Sequence, residues 1–268
     1  MKKLAGKVAI ITGGSAGIGL AIGKALSAKG VRVFDISRTV KENSFYEKAF
    51  QCDVNNTDRM SEIIDEIYAL TAHIDIFVNN AGFGIAGAVE SAKRDSVYSM
   101  IDTNLSAVIA LSSLAIGYLK KSGGGNIINT CSVGGIIPLP FQATYSASKA
   151  GVEVFSRALD NEVRPYDIHV TAILPGDTKT NFTANRIIEN NKGDITYQKR
   201  VSRSIKKVEK DEQTGKSPDT VAKVVIKVLR KKHPPLRVTV GFWYKCATFL
   251  PRVLPTKLIN AIVRKIYC

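Results

Sequence analysis

Short apolar, β-branched runs alternate with stretches of helical periodicity along most of the chain, and this alternation restricts its fold more than any other feature. The apolar runs lie at residues 8–12, 31–36, 74–80, 126–132 and 169–175. The helical patterns lie at 16–30, 58–70, about 95–120, 144–163 and 217–229. Strands that are apolar along their whole length are typical of a parallel sheet buried on both faces. We therefore predict an α/β fold in which helices cover both faces of a parallel sheet.

The organisation is predicted to be one domain, because 268 residues can bury a single large core. Residues 1–233 carry the alternating pattern and are interpreted as the nucleotide-binding and catalytic unit. Within it, residues 178–217 are polar with few periodic signals, which predicts a mobile segment or short helices over a substrate site. Residues 234–268 are interpreted as a basic, amphipathic helical extension of the same domain.

The positive charge of the chain is concentrated near its end. The formal net charge is +15, and eleven Lys or Arg residues follow Asp219 with no Asp or Glu among them. Such a tail suits an anionic surface, which could be phospholipid headgroups, an acidic carrier protein or nucleic acid, or it is a solvated face without a partner. No nucleic-acid-binding motif accompanies the charge, so we expect no nucleic acid partner.

Several classes of protein are excluded by pattern. No window shows the roughly 18–20 uncharged apolar residues of a membrane-spanning helix, so nothing in the chain is expected to cross a bilayer. The four cysteines show no metal-binding or disulfide spacing, which predicts reduced thiols and no metal site. The expected location is cytoplasmic, with peripheral membrane contact through the basic tail as a further option.

A glycine-rich turn follows the first predicted strand directly and opens the first predicted helix. The turn runs from Thr12 to Gly19. Glycines at a strand-to-helix turn let a pyrophosphate approach backbone N–H groups, where the helix dipole also attracts its charge. This position is that of the phosphate-binding turn of a doubly wound Rossmann-type domain. The candidate cofactor-binding residues here are Gly13, Ser15, Gly17, Ile18 and Gly19.

A candidate proton-transfer site follows the fourth apolar run. Tyr145 and Lys149 lie four positions apart on a predicted helix, which places both side chains on one face. A fixed ammonium favours phenolate, so Lys149 is expected to lower the pKa of Tyr145 from about 10. Ser132 ends the preceding predicted strand, and ligands of α/β folds bind beyond strand ends.

Together these motifs resemble the short-chain dehydrogenase/reductase family, most strongly over residues 5–180. The resemblance rests on the TGxxxGxG spacing, the Asn79-Asn80-Ala81-Gly82 segment, the Tyr-Ser-Ala-Ser-Lys run and a Pro175-Gly176 segment. For ketone reduction the resemblance implies that Tyr145 donates the proton, Ser132 hydrogen-bonds the carbonyl oxygen, Lys149 holds the nicotinamide ribose, and Asn104 completes a proton relay. It also implies cofactor contacts from Asp53, Val54, Asn80, Gly82, Tyr145, Lys149, Thr178 and Thr180. Asp177 and Thr178 depart from the family's PGxVxT pattern, which leaves the local packing open.

Two residue sets bear on the cofactor. Asp35 lies about 20 positions after the glycines, where an acidic residue would hold a ribose 2′-hydroxyl and indicate NAD(H). Alignment from Gly30, however, places Asp35 inside the strand and puts Ser37 and Arg38 at the loop facing the ribose. In the resembled family a small residue followed by Arg is typical of NADP(H) binding, because a guanidinium binds a phosphate bidentately. We therefore predict NADP(H) rather than NAD(H).

The substrate side rests on the end of the chain. Leu258, Ile259, Ile262, Val263 and Ile266 form one helical stripe flanked by cations, which either enters a membrane interface, covers an apolar substrate, or packs on the body of the protein. The extension and the helix-poor segment 37–50 resemble the branch that contains retinol dehydrogenases, 17β-hydroxysteroid dehydrogenases and acyl-dihydroxyacetone-phosphate reductases. This resemblance implies a ketone or secondary alcohol on a steroid-like or lipid-like substrate, and a homo-oligomer.

Two alternatives stay open at this stage. One is reduction of 3-oxoacyl groups on an acidic carrier protein, and the other is a non-catalytic cofactor-binding scaffold at a membrane surface.

Overall fold

The main sheet has seven parallel strands. A computed structural model describes residues 2–41, 43–189 and 195–268. In these ranges the sheet strands are β1 (Val8–Thr12), β2 (Arg32–Ser37), β3 (Lys48–Gln51), β4 (Ile76–Asn79), β6 (Gly125–Thr130), β7 (Ile168–Leu174) and β9 (Arg237–Thr239). Two further strands, β5 (Ile85–Gly87) and β8 (Ile187–Glu189), pair in parallel outside this sheet.

Helices connect the strands and cover the sheet. They are α1 (Gly17–Ser27), α2 (Thr57–Thr71), α3 (Arg94–Ile101), α4 (Ala107–Lys121), α5 (Ala143–Val163), α6 (Ile195–Gln213), α7 (Pro218–Leu229), α8 (Phe242–Phe249) and α9 (Thr256–Tyr267). A π-helical turn, Asp102–Ser106, joins α3 to α4 in one continuous helical run. The segment 234–268 thus contributes a sheet strand as well as helices.

Side-chain alternation along β1 explains why both faces of the sheet are covered. Val8 and Ile10 point into a core cluster formed with α2, α4 and α5. Ala9 and Ile11 point the other way, into a cluster formed with α1 and α7. Because successive strand residues face opposite sides, a wholly apolar strand needs an apolar helix layer on each side.

The strand order β3-β2-β1-β4-β6-β7-β9 places the ligand crevice. From β1 the chain winds outwards through β2 to β3, and then returns to β4 beside β1 before winding in the other direction. Ligands of doubly wound sheets bind beyond the carboxyl ends of the strands at such a reversal. The predicted fold class is confirmed, and its crevice lies where β1 and β4 end.

The expectation of mobile or short helical structure over residues 178–217 is wrong for its second half. Residues 195–213 form one helix of 19 residues, α6, while 190–194 lie outside the described residues. Its buried side is a narrow stripe containing Val201, Ile205 and Val208 on an otherwise charged helix. These residues recur at helical spacing, so the helix is amphipathic and is stabilised by packing its apolar side against the rest of the protein.

Within the part of the chain that the structure describes, one helical run meets the length and composition of a membrane-spanning helix, contrary to the expectation from the sequence. It is Arg94–Lys121, with 28 residues and a mean hydropathy of 1.4 in its most apolar window. Leu111, Ala115 and Leu119 on this run are buried in the sheet core. Its apolar composition therefore serves at least in part to cover the sheet.

Candidate active site

A cavity of about 640 Å³ lies at the carboxyl edge of the sheet. Its walls come from the glycine turn, the segments after β2, β4, β6 and β7, and the helices α5, α6, α8 and α9. The crevice predicted from the topology is therefore continuous with a pocket that reaches the C-terminal helices.

The glycine turn is shaped by two positions at which a side chain would be strained. Gly13 has φ +70°, in the left-handed region that favours glycine. A Cβ on Gly19 would lie 2.3 Å from the carbonyl oxygen of Gly13 and 2.5 Å from the side-chain amide nitrogen (Nδ2) of Asn80. The first turn of α1 is thus drawn tightly against the strand end, which brings its N–H groups to the crevice. This cradle fits the pyrophosphate of a dinucleotide.

Asp35 supports the turn from below. It is fully buried in β2, and one carboxylate oxygen accepts hydrogen bonds from the Gly14 backbone N–H and from the Ser37 hydroxyl, both at 2.7 Å. Tyr46 donates to the Gly14 carbonyl oxygen at 2.8 Å. Burial raises the pKa of Asp35 above its ordinary value. This carboxylate fixes the turn and does not line the cavity.

Thr12 joins the glycine turn to the segment after β4, a role that the sequence analysis did not assign. Its hydroxyl oxygen accepts from the backbone N–H of Asn80 at 3.0 Å and of Ala81 at 3.1 Å. The Asn80 side chain in turn donates to the carbonyl oxygens of Thr12 and Gly13. Two loops that approach the crevice from neighbouring strands are therefore held in a fixed relation.

Ser132 and Tyr145 meet at the centre of the cavity. Ser132 accepts a hydrogen bond from the Gly134 backbone N–H at 3.0 Å, which leaves its hydroxyl proton for a second partner. Burial raises the pKa of Tyr145 to about 12, and a hydrogen bond with Ser132 partly opposes this rise. The phenol is therefore protonated at neutral pH, which is the form that donates a proton. The Tyr145 ring packs against Phe182, with ring centroids 5.7 Å apart.

Lys149 lies on the same face of α5, but its ammonium is directed elsewhere. It donates to the carbonyl oxygen of Thr130 at 2.9 Å, and burial lowers its pKa. The expected lowering of the Tyr145 pKa by this ammonium is not seen in this arrangement, because burial dominates and carries that pKa upwards. The i, i+4 spacing brings both side chains to the cavity wall without bringing the charge onto the phenol.

Asn104 lies behind the cavity wall, fully buried in the π-helical turn. Its side chain accepts from the Phe83 backbone N–H at 3.0 Å and donates to the Phe83 carbonyl oxygen at 2.9 Å. It also donates to the Ser148 hydroxyl at 3.2 Å. π-Helical turns are rare and frequently occur at functional sites. Here the turn places an amide that fixes the loop after β4.

The segment after β7 closes the cavity next to the glycine turn. Thr178 donates to the Gly176 carbonyl oxygen at 2.8 Å, and the Thr180 side chain lies against Gly17. Asp177 accepts a hydrogen bond from the Tyr244 hydroxyl, and burial raises the pKa of this carboxyl. A Cβ on Gly176 would strike the Tyr244 ring, so the ring seats directly on this glycine. Of the two departures from the PGxVxT pattern, Asp177 therefore anchors α8 over the site, while Thr178 bonds locally to Gly176.

Most predicted cofactor-binding residues line this one cavity. They are Gly13, Ser15, Gly17, Ile18, Arg38, Asp53, Val54, Asn80, Gly82, Tyr145, Lys149, Thr178 and Thr180, together with Ser132. Gly19 and Asn104 do not line it and support it from behind. Cys131 does line it, but burial raises the pKa of this thiol to about 12 and so keeps it protonated.

The cavity wall also contains side chains that the sequence analysis did not place in the site. Phe182, Val208 and Glu212 come from the segment 178–217, and Tyr244, Leu250 and Tyr267 come from the segment 234–268. From the predicted stripe, Ile259, Ile262, Val263 and Ile266 all line the cavity. The stripe therefore covers the cavity, which matches one of the three uses considered for it.

Comparison with known proteins gives a consistent result. The model of the short chain dehydrogenase family matches residues 7–191. The chain is 36% identical over 236 residues to a 3-ketodihydrosphingosine reductase of Bacteroides thetaiotaomicron, an alignment that covers 88% of each protein. It is 29% identical to dehydrogenase/reductase SDR family member 7B of Xenopus tropicalis, over 93% of this chain and 82% of that protein.

Among solved structures, a short-chain dehydrogenase of Streptomyces avermitilis shares the fold with a TM-score of 0.82 at 24% identity, over 99% of this chain and 97% of that one. This likeness extends through the C-terminal helices.

Proposed function

This chain belongs to the short-chain dehydrogenase family, and on that premise we propose that it reduces a ketone on a long-chain, lipid-like substrate with NADPH. Residues 1–233 bind the cofactor and perform the chemistry in this proposal, while the segments 178–217 and 234–268 shape the substrate end of the site. We further propose that the chain associates into a homo-oligomer. The relative whose name specifies a long-chain amino ketone makes that compound the first substrate to test.

The observation that carries the proposal is the apolar wall that continues from Tyr145 to α9. Phe182 packs on the Tyr145 ring at the start of this wall. The other apolar residues that line the cavity include Ile137, Leu139, Val208, Leu250, Ile259, Ile262, Val263 and Ile266. Transfer of a hydrocarbon chain from water to such a wall gains about 0.8 kcal/mol for each buried CH₂ group. The lining therefore favours an extended hydrocarbon chain attached to the reacting ketone.

The preference for NADP(H) rests on the side chains beyond β2. Asp35, the residue that could bind a ribose 2′-hydroxyl, is engaged beneath the glycine turn through Gly14 and Ser37. Arg38 is exposed and lines the cavity at the same strand end. An exposed guanidinium at this point supports binding of a 2′-phosphate, which it can contact through two parallel hydrogen bonds.

The mechanism follows from the positions of the hydroxyl groups. When bound, the dinucleotide supplies a hydride to the substrate carbon. Ser132 keeps its proton and donates a hydrogen bond to the carbonyl oxygen, while its own oxygen accepts from the Gly134 N–H. Tyr145 delivers a proton to that same oxygen, and its raised pKa keeps it in the acid form that reduction requires.

Lys149 has a holding role in this proposal. Its ammonium sits in the cavity wall on the Thr130 carbonyl oxygen, and there it would hold the ribose at the nicotinamide end of the cofactor. An ammonium there can donate to ribose hydroxyls as well as to Thr130, because it has three N–H donors. Asn104 holds the loop around Phe83 and so keeps this wall in place.

The proposal is tested by initial rates of NADPH oxidation with three substrates: 3-ketodihydrosphingosine, a free steroid ketone and a 3-oxoacyl group on an acyl carrier protein. We expect the largest kcat/KM for the long-chain amino ketone. Faster turnover of the carrier-bound group would favour the alternative of a carrier-protein reductase, which the basic surface would suit. No turnover of any of the three would favour the non-catalytic scaffold.

The cofactor assignment is tested by Arg38→Ala, with Lys41→Ala as the matched control. Both residues are exposed cations near the end of β2, but Lys41 does not line the cavity. Loss of a charge-assisted hydrogen bond worth about 1.5–3 kcal/mol raises the KM for NADPH by about 10–100-fold. The KM for NADH stays constant in both variants, and Lys41→Ala leaves both values unchanged. Equal KM values for NADPH in Arg38→Ala and the native protein would rule out this role.

A further inference from the structure

The end of the molecule that borders the cavity exposes a group of large apolar side chains. The group belongs to α8, α9 and the turn between them, and we refer to it as the C-terminal apolar face: Phe242, Trp243, Phe249, Leu250, Val253, Leu258, Ile262 and Ile266. Trp243 is 79% exposed and Phe242 is 67% exposed, and their rings contact each other edge to face. Soluble surfaces carry single exposed apolar residues, whereas a group of this size marks an interaction site.

Packing within the fold does not account for these residues. Helix α9 already uses one stripe, Ile259 and Val263, to pack onto the protein, and both are buried. Leu258 and Ile262 lie on the neighbouring stripe and are 47% and 41% exposed. The helix is therefore apolar over a wider arc than its own packing uses.

The C-terminal apolar face is continuous with the opening of the cavity. Leu250, Ile262 and Ile266 line the cavity and are also 38–47% exposed. Because these three side chains both line the cavity and reach the protein surface, they lie at the mouth of the cavity. Any surface that covers this face therefore also covers the route from outside to Tyr145.

The charge around the face is positive. Exposed cations alternate with its apolar residues: Lys245, Arg252, Lys257, Arg264 and Lys265. No Asp or Glu occurs anywhere after Asp219 in the sequence. Helix α6 packs against α9 and adds the exposed cations Lys199, Arg200, Arg203, Lys206 and Lys210. The partner that complements this surface is apolar at its centre and negatively charged around it.

We propose that the C-terminal apolar face docks on an anionic lipid bilayer and that the lipid-like substrate passes between the bilayer and the cavity at this mouth. Trp and Phe side chains are favoured at the headgroup level, where an apolar face inserts and flanking Lys and Arg contact anionic headgroups. Each cation near such a surface adds to the attraction. Docking itself stands on the surface described here, and only the passage of substrate rests on the proposed function.

Trp243 makes the docking directly measurable, because it is the sole tryptophan of the chain. The probe is a set of vesicles made from phosphatidylcholine alone or with phosphatidylglycerol, with and without brominated acyl chains. We expect a blue shift of the Trp243 emission and quenching by brominated chains with anionic vesicles, both reversed by high salt. Emission that does not change with anionic vesicles would refute the docking. A shift with soluble polyglutamate and none with vesicles would refute it in favour of an acidic protein partner.

A pair of double variants separates the face from general surface hydrophobicity. Val253→Glu/Leu258→Glu places charges on the face, and Leu70→Glu/Val89→Glu places the same charges on exposed apolar residues elsewhere. None of these four side chains lines the cavity. We expect at least a tenfold loss of vesicle affinity in the first variant only, with turnover of a short water-soluble ketone unchanged in both. Equal loss in the two variants would contradict the assignment of the face.

The two proposals fail separately. Vesicle binding without reduction of any long-chain ketone leaves the docking intact and refutes the proposed function. Reduction of the ketone in detergent solution without vesicle binding refutes the docking and leaves the proposed function intact.

Discussion

Substitution of Gly19 by alanine tests whether the close approach of α1 to Gly13 and Asn80 requires glycine at this position. A Cβ at this position would lie 2.3 Å from the Gly13 carbonyl oxygen and 2.5 Å from the Asn80 side-chain Nδ2, so these groups must move away from it. Overpacking of this kind costs about 1–3 kcal/mol. Loss of one of the Asn80 hydrogen bonds adds about 1 kcal/mol. Alanine returns about 1 kcal/mol through its better helix propensity.

The net expectation for Gly19→Ala is therefore a loss of about 2 kcal/mol in the free energy of unfolding. For a chain of this length that loss lowers the Tm by roughly 4–8 °C. Affinity for NADPH also falls, because the displaced carbonyl and N–H groups belong to the phosphate-binding turn. Thermal unfolding followed by circular dichroism and a titration of NADPH fluorescence measure the two effects.

Gly117→Ala is the matched control. Gly117 also lies in a helix, α4, but a Cβ there meets nothing within 4 Å. The same chemical change should therefore raise the stability by about 0.5–1 kcal/mol and leave NADPH affinity unchanged. A Tm that moves in the same direction in both variants, or unchanged NADPH affinity in Gly19→Ala, would refute the reasoning.

Three further outcomes follow from single contacts. Tyr145→Phe keeps the ring that packs on Phe182 and removes only the hydroxyl group that donates the proton. We therefore expect kcat to fall by about 10²–10⁴-fold with unchanged NADPH affinity. A kcat near the native value would contradict the role of Tyr145 as the proton donor. Thr12→Val removes the acceptor of the Asn80 and Ala81 N–H groups and should cost about 2 kcal/mol in a denaturant titration, with a loss near zero pointing to replacement by water. Burial raises the pKa of Asp35, so this carboxyl holds a proton more tightly in the folded protein than in the unfolded chain. Its contribution to stability is complete below the unfolded-state pKa and is lost as pH rises through the higher folded-state pKa. Asp35→Asn should therefore lose less stability than the native protein between acid and neutral pH in parallel denaturant titrations, and identical pH profiles would count against this.

Much of the fold and of the catalytic centre is readable from the sequence because the signals are local. The apolar strand runs correspond to β1, β2, β4, β6 and β7 within a residue or two of their bounds. Tyr145 and Lys149 share a helix face because spacing along a helix fixes direction. The glycine turn is recognisable because its backbone favours glycine, as the left-handed φ of Gly13 shows.

The tertiary structure decided the features in which a residue's role depends on a partner distant in the chain. Asp35 supports the glycine turn because β2 carries it beneath Gly14, and sequence distance alone could not separate this from contact with a ribose. The charge of Lys149 is directed to Thr130, and burial rather than that charge sets the Tyr145 pKa. The apolar stripe of helix α6 is present in the sequence, but the surface that buries Val201, Ile205 and Val208 is set by residues distant in the chain.

The C-terminal segment shows the same division. Its sequence determined an apolar helical stripe flanked by cations, because periodicity and charge are properties of the segment itself. Only the folded chain decided that Ile259 and Val263 are buried over the cavity while Leu258 and Ile262 remain at the surface. Periodicity identifies which side of a helix is apolar, but what lies against that side is set by long-range packing.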